Sequence, residues 1–229
     1  MNGTNLDKLM ECIGYTFNDK GLLEVALTHS SYANEHRAQK VEYNERIEFL
    51  GDAVLELVTS EFLYNMNPKL PEGDMTRTRA SIVCEPTLAL CAEDISLGRY
   101  LRLGKGEELT GGRNRASIVS DAMESLIGAI YLDGGMDNAR KFIHGFVLND
   151  IKNKRLFVDS KTILQEMVQG ESGELNYEVI GEEGPDHNKI YKVAVYVNGD
   201  KLGLGEGRTK KAAEQSAAYR AILKMQKRG

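Results

Sequence analysis

The sequence predicts two folds in tandem: an all-α domain over residues 1–150 and a small α+β domain of α-β-β-β-α order over 159–229, joined by a linker at 151–158. Three observations predict this. Apolar residues recur at helical spacing through the first 150 positions, and no period-two pattern competes with them. Period-two alternation then appears in three short runs, 176–181, 189–197 and 201–207, flanked by two helical runs. The charge changes sign at the same place. Residues 1–150 hold 15 Lys plus Arg against 23 Asp plus Glu, a net of −8, whereas 151–229 hold 14 against 11, a net of +3.

Each element has a local reason. Leu6, Leu9, Met10 and Ile13 share one helical face, and Asp19 suits the cap of a short helix carrying Leu22, Leu23, Ala26 and Leu27. A long periodic run over 42–66 ends before Pro68 and Pro71, and a further run spans 74–84. Pro86 belongs in the first turn of the next helix, where its missing N–H matters least. Residues 98–112 carry five glycines and read mainly as a loop. Helices over 116–132 and 136–148 are separated by Asp133-Gly134-Gly135. In the second domain Ser160 is expected to cap a helix over 160–169. Asn198-Gly199 marks a type I′ hairpin turn, and a closing helix spans 209–225.

The composition is that of a globular protein: 229 residues, 41% hydrophobic and 28% charged, with a net charge of −5. Taken whole, that charge argues against a polyanionic partner; taken by domain, the argument holds only for the first. Cys12, Cys84 and Cys91 lack CxxC spacing, so they read as small buried hydrophobes in a reducing compartment, not as a zinc site. No secretory signal or membrane-spanning run is visible, so a cytoplasmic protein with no membrane partner is expected.

The most informative segment is NERIEFLGDAVLEL, residues 44–57. With Glu45 set at zero and about 100° per residue, Glu48 falls at roughly 300°, Asp52 at roughly 340° and Glu56 at roughly 20°. Ile47, Leu50, Val54, Leu57 and Val58 take the opposite face, and Gly51 thins a flank so that a neighbouring helix can come close. Like charges at these spacings repel, and a solvated stripe would mix in Lys, whereas only Arg46 is near. A second segment, DAMESLIGAIYL, repeats the design with Asp121 and Glu124 beside Ser125 on one face and Met123, Leu126, Ile127 and Ile130 on the other. Two such helices facing each other would be destabilised unless a cation lay between them. Hard oxygen ligands without Cys or His suit Mg²⁺, with Mn²⁺ as a substitute, and such a site works on phosphates.

ERIEFLGDAVLEL, with LTHSSYANE before it and PEGDMTRTRASIV and SIVSDAMESLIGAIYLD after it in order, resembles the ribonuclease III family over nearly all of residues 1–150. The resemblance implies an all-α endonuclease domain that cleaves double-stranded RNA with Mg²⁺. It implies Glu48, Asp121 and Glu124 as metal ligands, and Asp52 and Glu124 as catalytic groups. Glu45 and Glu72 match a second acidic pair. Phe49, core by default on its helix, matches an aromatic that packs across a homodimer interface. Glu56 matches no family role, and His29 reads as structural, a helix cap or an RNA-facing loop residue.

The second domain is similar to a double-stranded RNA-binding domain. SKTILQEMVQ would present Thr162, Gln165 and Glu166 to a minor groove. The loop GPDHNK would present Pro185 and His187, with Asp186 departing from the usual pattern. GRTKKAAEQSAA would place Arg208, Lys210 and Lys211 against phosphates. The expected enzyme is a homodimeric, Mg²⁺-dependent endoribonuclease. It leaves 5′-phosphate and 3′-hydroxyl ends, acts on ribosomal and messenger RNA, and uses no nucleotide cofactor. A non-catalytic RNA scaffold would not need the full carboxylate set. A two-carboxylate hydrolase such as a glycosidase would leave the basic module unexplained.

Overall fold

The computed structural model describes residues 3–66, 68–170, 172–183, 189–207 and 209–226, and it divides into two units, residues 1–151 and 152–229. Among the described residues, the regular structure of the first unit is all helical apart from one isolated bridge between Thr28 and Arg102. Its α-helices are α1 (Gly3–Ile13), α2 (Lys20–Ala26), α3 (Ser30–Glu35), α4 (Glu45–Met66), α5 (Glu72–Ile82), α6 (Glu85–Asp94), α7 (Lys105–Leu109) and α8 (Ala116–Phe142). Leu23, Leu27, Leu55, Ile82, Leu88, Leu97, Met123, Leu126 and Ile127 lie at the centre of its core. Burying such side chains stabilises each by about 1.5–3 kcal/mol relative to exposure.

Local chemistry explains most boundaries. The Asp19 carboxylate accepts from the Gly21 amide at 2.8 Å and starts α2, as its sequence position suggested. His29 does the same for α3, its Nδ1 accepting from the Ser31 amide at 3.2 Å. Gly135, at φ 75° and ψ −179°, interrupts α8 as the Gly-Gly pair led one to expect. Beside it, Asp133 accepts from the Tyr15 hydroxyl (2.7 Å), the Asn18 amide (2.9 Å) and the Asp19 amide (2.8 Å), fastening the loop before α2 to α8. Burial, then the same carboxylate, pushes the Tyr15 hydroxyl up to about 12.

The second unit has the expected α-β-β-β-α core, preceded by one more helix. Segment 151–158, read from sequence as a linker, forms helix α9 (Ile151–Val158). It is followed by α10 (Ser160–Gly170), β1 (Leu175–Glu183), β2 (Ile190–Val197), β3 (Asp200–Gly207) and α11 (Lys210–Gln226). The sheet is antiparallel in the order β1-β2-β3, with Tyr177 opposite Val195 and Val193 opposite Gly205. Asn198 (φ 51°) and Gly199 (φ 83°) make the tight turn between β2 and β3. Gly205 has no room for a side chain, since a Cβ there would lie 2.1 Å from the Ala213 carbonyl of α11. An Ala-rich helix thus lies directly on a Gly-bearing strand.

Four expectations are corrected. Ser160 does not cap α10: its hydroxyl donates to the Gln215 carbonyl across the unit, at 2.9 Å. Cys12 is exposed and Cys84 partly so; only Cys91 is buried, and no disulfide joins them among the described residues. Leu57 is exposed and Leu55 fully buried, so the core face of α4 is turned from the one its pattern suggested. Phe49 is not a core residue, being 81% exposed.

Candidate metal centre and RNA interface

Helices α4 and α8 pack through glycine. A Cβ on Gly51 would lie 1.9 Å from the carbonyl oxygen of Glu124, and one on Gly128 would lie 2.3 Å from that of Ile47. Backbone therefore meets backbone, which brings the acidic positions of α4 level with those of α8. The Ser125 hydroxyl, fully buried, reaches the Asn44 carbonyl at 3.5 Å and ties α8 to the start of α4.

The electrostatics record how close the carboxylates are. Burial, then the charges of Asp121, Glu45 and Asp52, push Glu48 up to about 7. Burial, then Asp52, Glu48 and Asp121, push Glu124 up to about 8. Asp121 is raised by burial and by Glu85, partly offset by a hydrogen bond from Ser120 and by nearby His29. Asp52 is raised by burial and by Glu56. Glu48 and Glu124 thus each feel carboxylates of the facing helix, on top of their burial. Among the described residues, no three His, Cys, Asp or Glu side chains already stand close enough to cage an ion. The rotatable bonds of Glu48 and Glu124 would have to gather the ligands.

The remaining acidic positions behave differently. Glu45, exposed at the start of α4, acts electrostatically on Glu48. Glu72, at the start of α5, accepts from the Thr76 hydroxyl at 2.8 Å, and among the described residues no bond joins it to Glu45. Glu56 lies 4.0 Å from Arg79, whose guanidinium donates to Ser60 Oγ at 2.9 Å. Glu85, in the first turn of α6, is a neighbour of Asp121 that the sequence reading missed; its only signal was an acidic residue before Pro86.

In the second unit Thr162, Gln165 and Glu166 are exposed together on α10. Lys210 and Lys211 are exposed at the start of α11, which Thr209 caps by accepting from the Ala212 amide at 3.1 Å. The Lys210 ammonium lies 5.7 Å from the Tyr191 ring centroid, so the aromatic face supports the cation. Pro185, Asp186, His187 and Arg208 lie outside the described residues.

Paired acidic helices in one unit and a basic-started α-β-β-β-α module in the other define a two-domain nuclease. Residues 19–151 match the family model described as Ribonuclease-III-like, and residues 160–225 match the double-stranded RNA binding motif. Ribonuclease 3 of Listeria innocua is 51% identical over 219 residues, covering 94% of this chain and 96% of that protein. Ribonuclease 3 of Caldanaerobacter subterraneus is 49% identical over 224 residues, covering 96% and 98%. A solved nuclease domain of ribonuclease III from Campylobacter jejuni aligns with a TM-score of 0.59 at 41% identity, covering 62% of this chain and 96% of that one; its description concerns flexibility in a region involved in dimer formation. The chain belongs to the ribonuclease III family and is an endoribonuclease carrying a double-stranded RNA-binding domain. No described helix is long and apolar enough to cross a membrane.

Proposed function

We propose that Glu48, Asp121 and Glu124 hold Mg²⁺, with Mn²⁺ as a substitute, and that the enzyme hydrolyses duplex RNA to 5′-phosphate and 3′-hydroxyl ends. The observation that carries this is the close α4–α8 contact through Gly51 and Gly128, across which Glu48 is raised by burial and by Asp121, and Glu124 by burial and by Asp52 and Glu48. Such a set of oxygen donors fits a hard divalent cation. Mg²⁺, when bound there, lowers the pKa of water and stabilises charge on the scissile phosphate. Asp52, exposed on the same stripe, would accept the proton of the attacking water, and Glu124 would both ligate and orient. Glu45 and Glu72 position the substrate or partner subunit. In the second unit Thr162, Gln165, Glu166, Pro185 and His187 read the minor grooves, and Arg208, Lys210 and Lys211 hold phosphates. The protein works in the cytoplasm on ribosomal precursors and structured messenger RNA. The domain bounds 1–150, 151–158 and 159–229 follow from this division of labour.

The enzyme acts as a homodimer. Phe49, Tyr64, Leu57 and Met66 all stand exposed on α4, too much apolar surface on one helix to leave wet. Phe49 packs across that interface.

Incubating the protein with a labelled duplex, with Mg²⁺ or with EDTA, tests the reading. Products bearing 5′-phosphates in the first case and none in the second are expected; equal products in both would overturn it. Replacing Lys210 and Lys211 together by Ala is expected to weaken duplex binding by about tenfold to a hundredfold and to flatten its salt dependence by about two phosphate contacts. Unchanged affinity in a filter-binding titration would remove their assigned role.

The shifted pKa values give a pH test. Glu48 and Glu124 rise from an ordinary 4.5 to about 7 and about 8 in the fold. Between those limits the native state binds more protons than the unfolded chain, so stability falls as pH rises. In EDTA the melting temperature is expected to be higher near pH 5.5 than at pH 8 through these two groups. Mg²⁺ competes with the protons, so its stabilisation should be larger at pH 8. A Mg²⁺ shift in melting temperature that is the same at both pH values would contradict this.

A further inference from the structure

The nuclease unit carries −8 yet must receive a polyanion, so cations beside the acidic helices bear on how RNA approaches. The stretch just before α4 supplies some. Arg37 and Lys40 are exposed there, and His29 stands within electrostatic reach of Asp121. The chain at Arg102 is bound to the same stretch: its amide donates to the Leu27 carbonyl at 2.8 Å, and its carbonyl accepts from the His29 amide at 3.1 Å. The Arg102 guanidinium lies over the Tyr32 ring, 4.4 Å from its centroid. Tyr32 in turn stacks on His36, centroids 4.0 Å apart and planes 18° from parallel. His36 is itself fixed, its Nδ1 donating to the Tyr32 carbonyl at 2.8 Å.

Arg102 spends little of its capacity. A guanidinium has five N–H donors. Among the described residues this one makes no hydrogen bond, and its single ion pair, with Glu24, is loose at 3.8 Å. A half-buried guanidinium normally finds acceptors. The Tyr32 ring covers one side of the guanidinium without taking any of its N–H donors, and those donors match phosphate oxygens in pairs.

Resting on the functional reading above, we propose that Arg102, seated over the Tyr32 ring that His36 backs, grips a backbone phosphate of the RNA strand near the one cleaved at Glu48, Asp121 and Glu124. Tyr32 and His36 are positioning residues in this arrangement, and Arg102 touches the substrate.

The test uses the full chain, Mg²⁺ and a defined duplex at several KCl concentrations. Arg102→Gln keeps much of the side-chain stem and removes the charge. It is expected to raise KM about tenfold, with kcat and melting temperature little changed, and to make the fall of kcat/KM with salt shallower by about one contact. Arg102→Lys should recover the salt slope better than the KM, because it restores charge without the planar fork. Tyr32→Phe, which keeps the stacking face, should lose less than Tyr32→Leu. The proposal is overturned if Arg102→Gln shows the wild-type KM and salt slope. It is also overturned if the variant loses melting temperature and kcat together with the slope unmoved, which marks a structural pin. Absence of Mg²⁺-dependent cleavage in the wild type would instead sink the functional reading, and this inference with it.

Discussion

Replacing Glu124 by Gln is expected to abolish cleavage of duplex RNA, by at least about a thousandfold, while duplex affinity stays near that of the wild type. The substitution preserves shape and puts a neutral amide where the carboxyl raised furthest in the cluster, to about 8, would ionise. It deletes the metal ligand proposed on α8 and leaves Lys210 and Lys211 untouched in the other unit. A second consequence follows from the same physics. Glu48 and Asp52 lose a repulsive neighbour, so the variant should melt higher than the wild type in EDTA at pH 8 and gain less from Mg²⁺. Single-turnover cleavage, a mobility-shift titration and thermal melts check the three parts. Near wild-type cutting would remove Glu124 from the site; a lower melting temperature in EDTA would contradict the charge crowding.

Gly51→Ala is expected to be nearly as damaging, although it adds only one methyl group and removes no charge. The new Cβ would fall 1.9 Å from the Glu124 carbonyl oxygen, and backbone cannot yield as a flexible side chain does. Helices α4 and α8 must separate, at about 1–3 kcal/mol for overpacking. The larger effect is geometric. A shift of about 1 Å between groups that must act together can lower turnover by about a hundredfold. At a temperature where the variant is still folded, kcat should therefore fall far more than the folded fraction does. Gly106→Ala on α7, where a Cβ meets nothing within 4 Å, is the control and should behave as wild type. Comparing kcat and melting temperature for both variants decides it; loss of stability without loss of kcat would separate the glycine contact from the chemistry.

Much of this was legible because the site is written in helical periodicity. Glu45, Glu48, Asp52 and Glu56 fall in one stripe whatever packs behind them, and Gly51 announces a close neighbour by lacking a side chain. The α-β-β-β-α order was equally plain, since three alternating runs and Asn198-Gly199 leave few other arrangements. Other features depend on distant partners. On α4, apolar residues occupy more of the circumference than one core can cover, so periodicity alone could not tell that Leu55 is buried while Leu57 and Phe49 face outward. Ser160 looked like a cap because serine often is one; its hydroxyl instead found the Gln215 carbonyl, 55 positions on. Segment 151–158 looked like a linker because it is polar, yet its spacing lets it continue as helix α9. Glu85 and Arg102 gave almost no local signal, for their roles arise from what the fold sets beside them.

The central claim is that carboxylates from α4 and α8 converge on one divalent cation. Anomalous diffraction from crystals soaked in Mn²⁺ tests it most directly. The expected result is a peak about 2.1 Å from carboxylate oxygens of Glu48 on one helix and of Asp121 and Glu124 on the other. A peak bound to one helix alone, or one remote from all three, would contradict it.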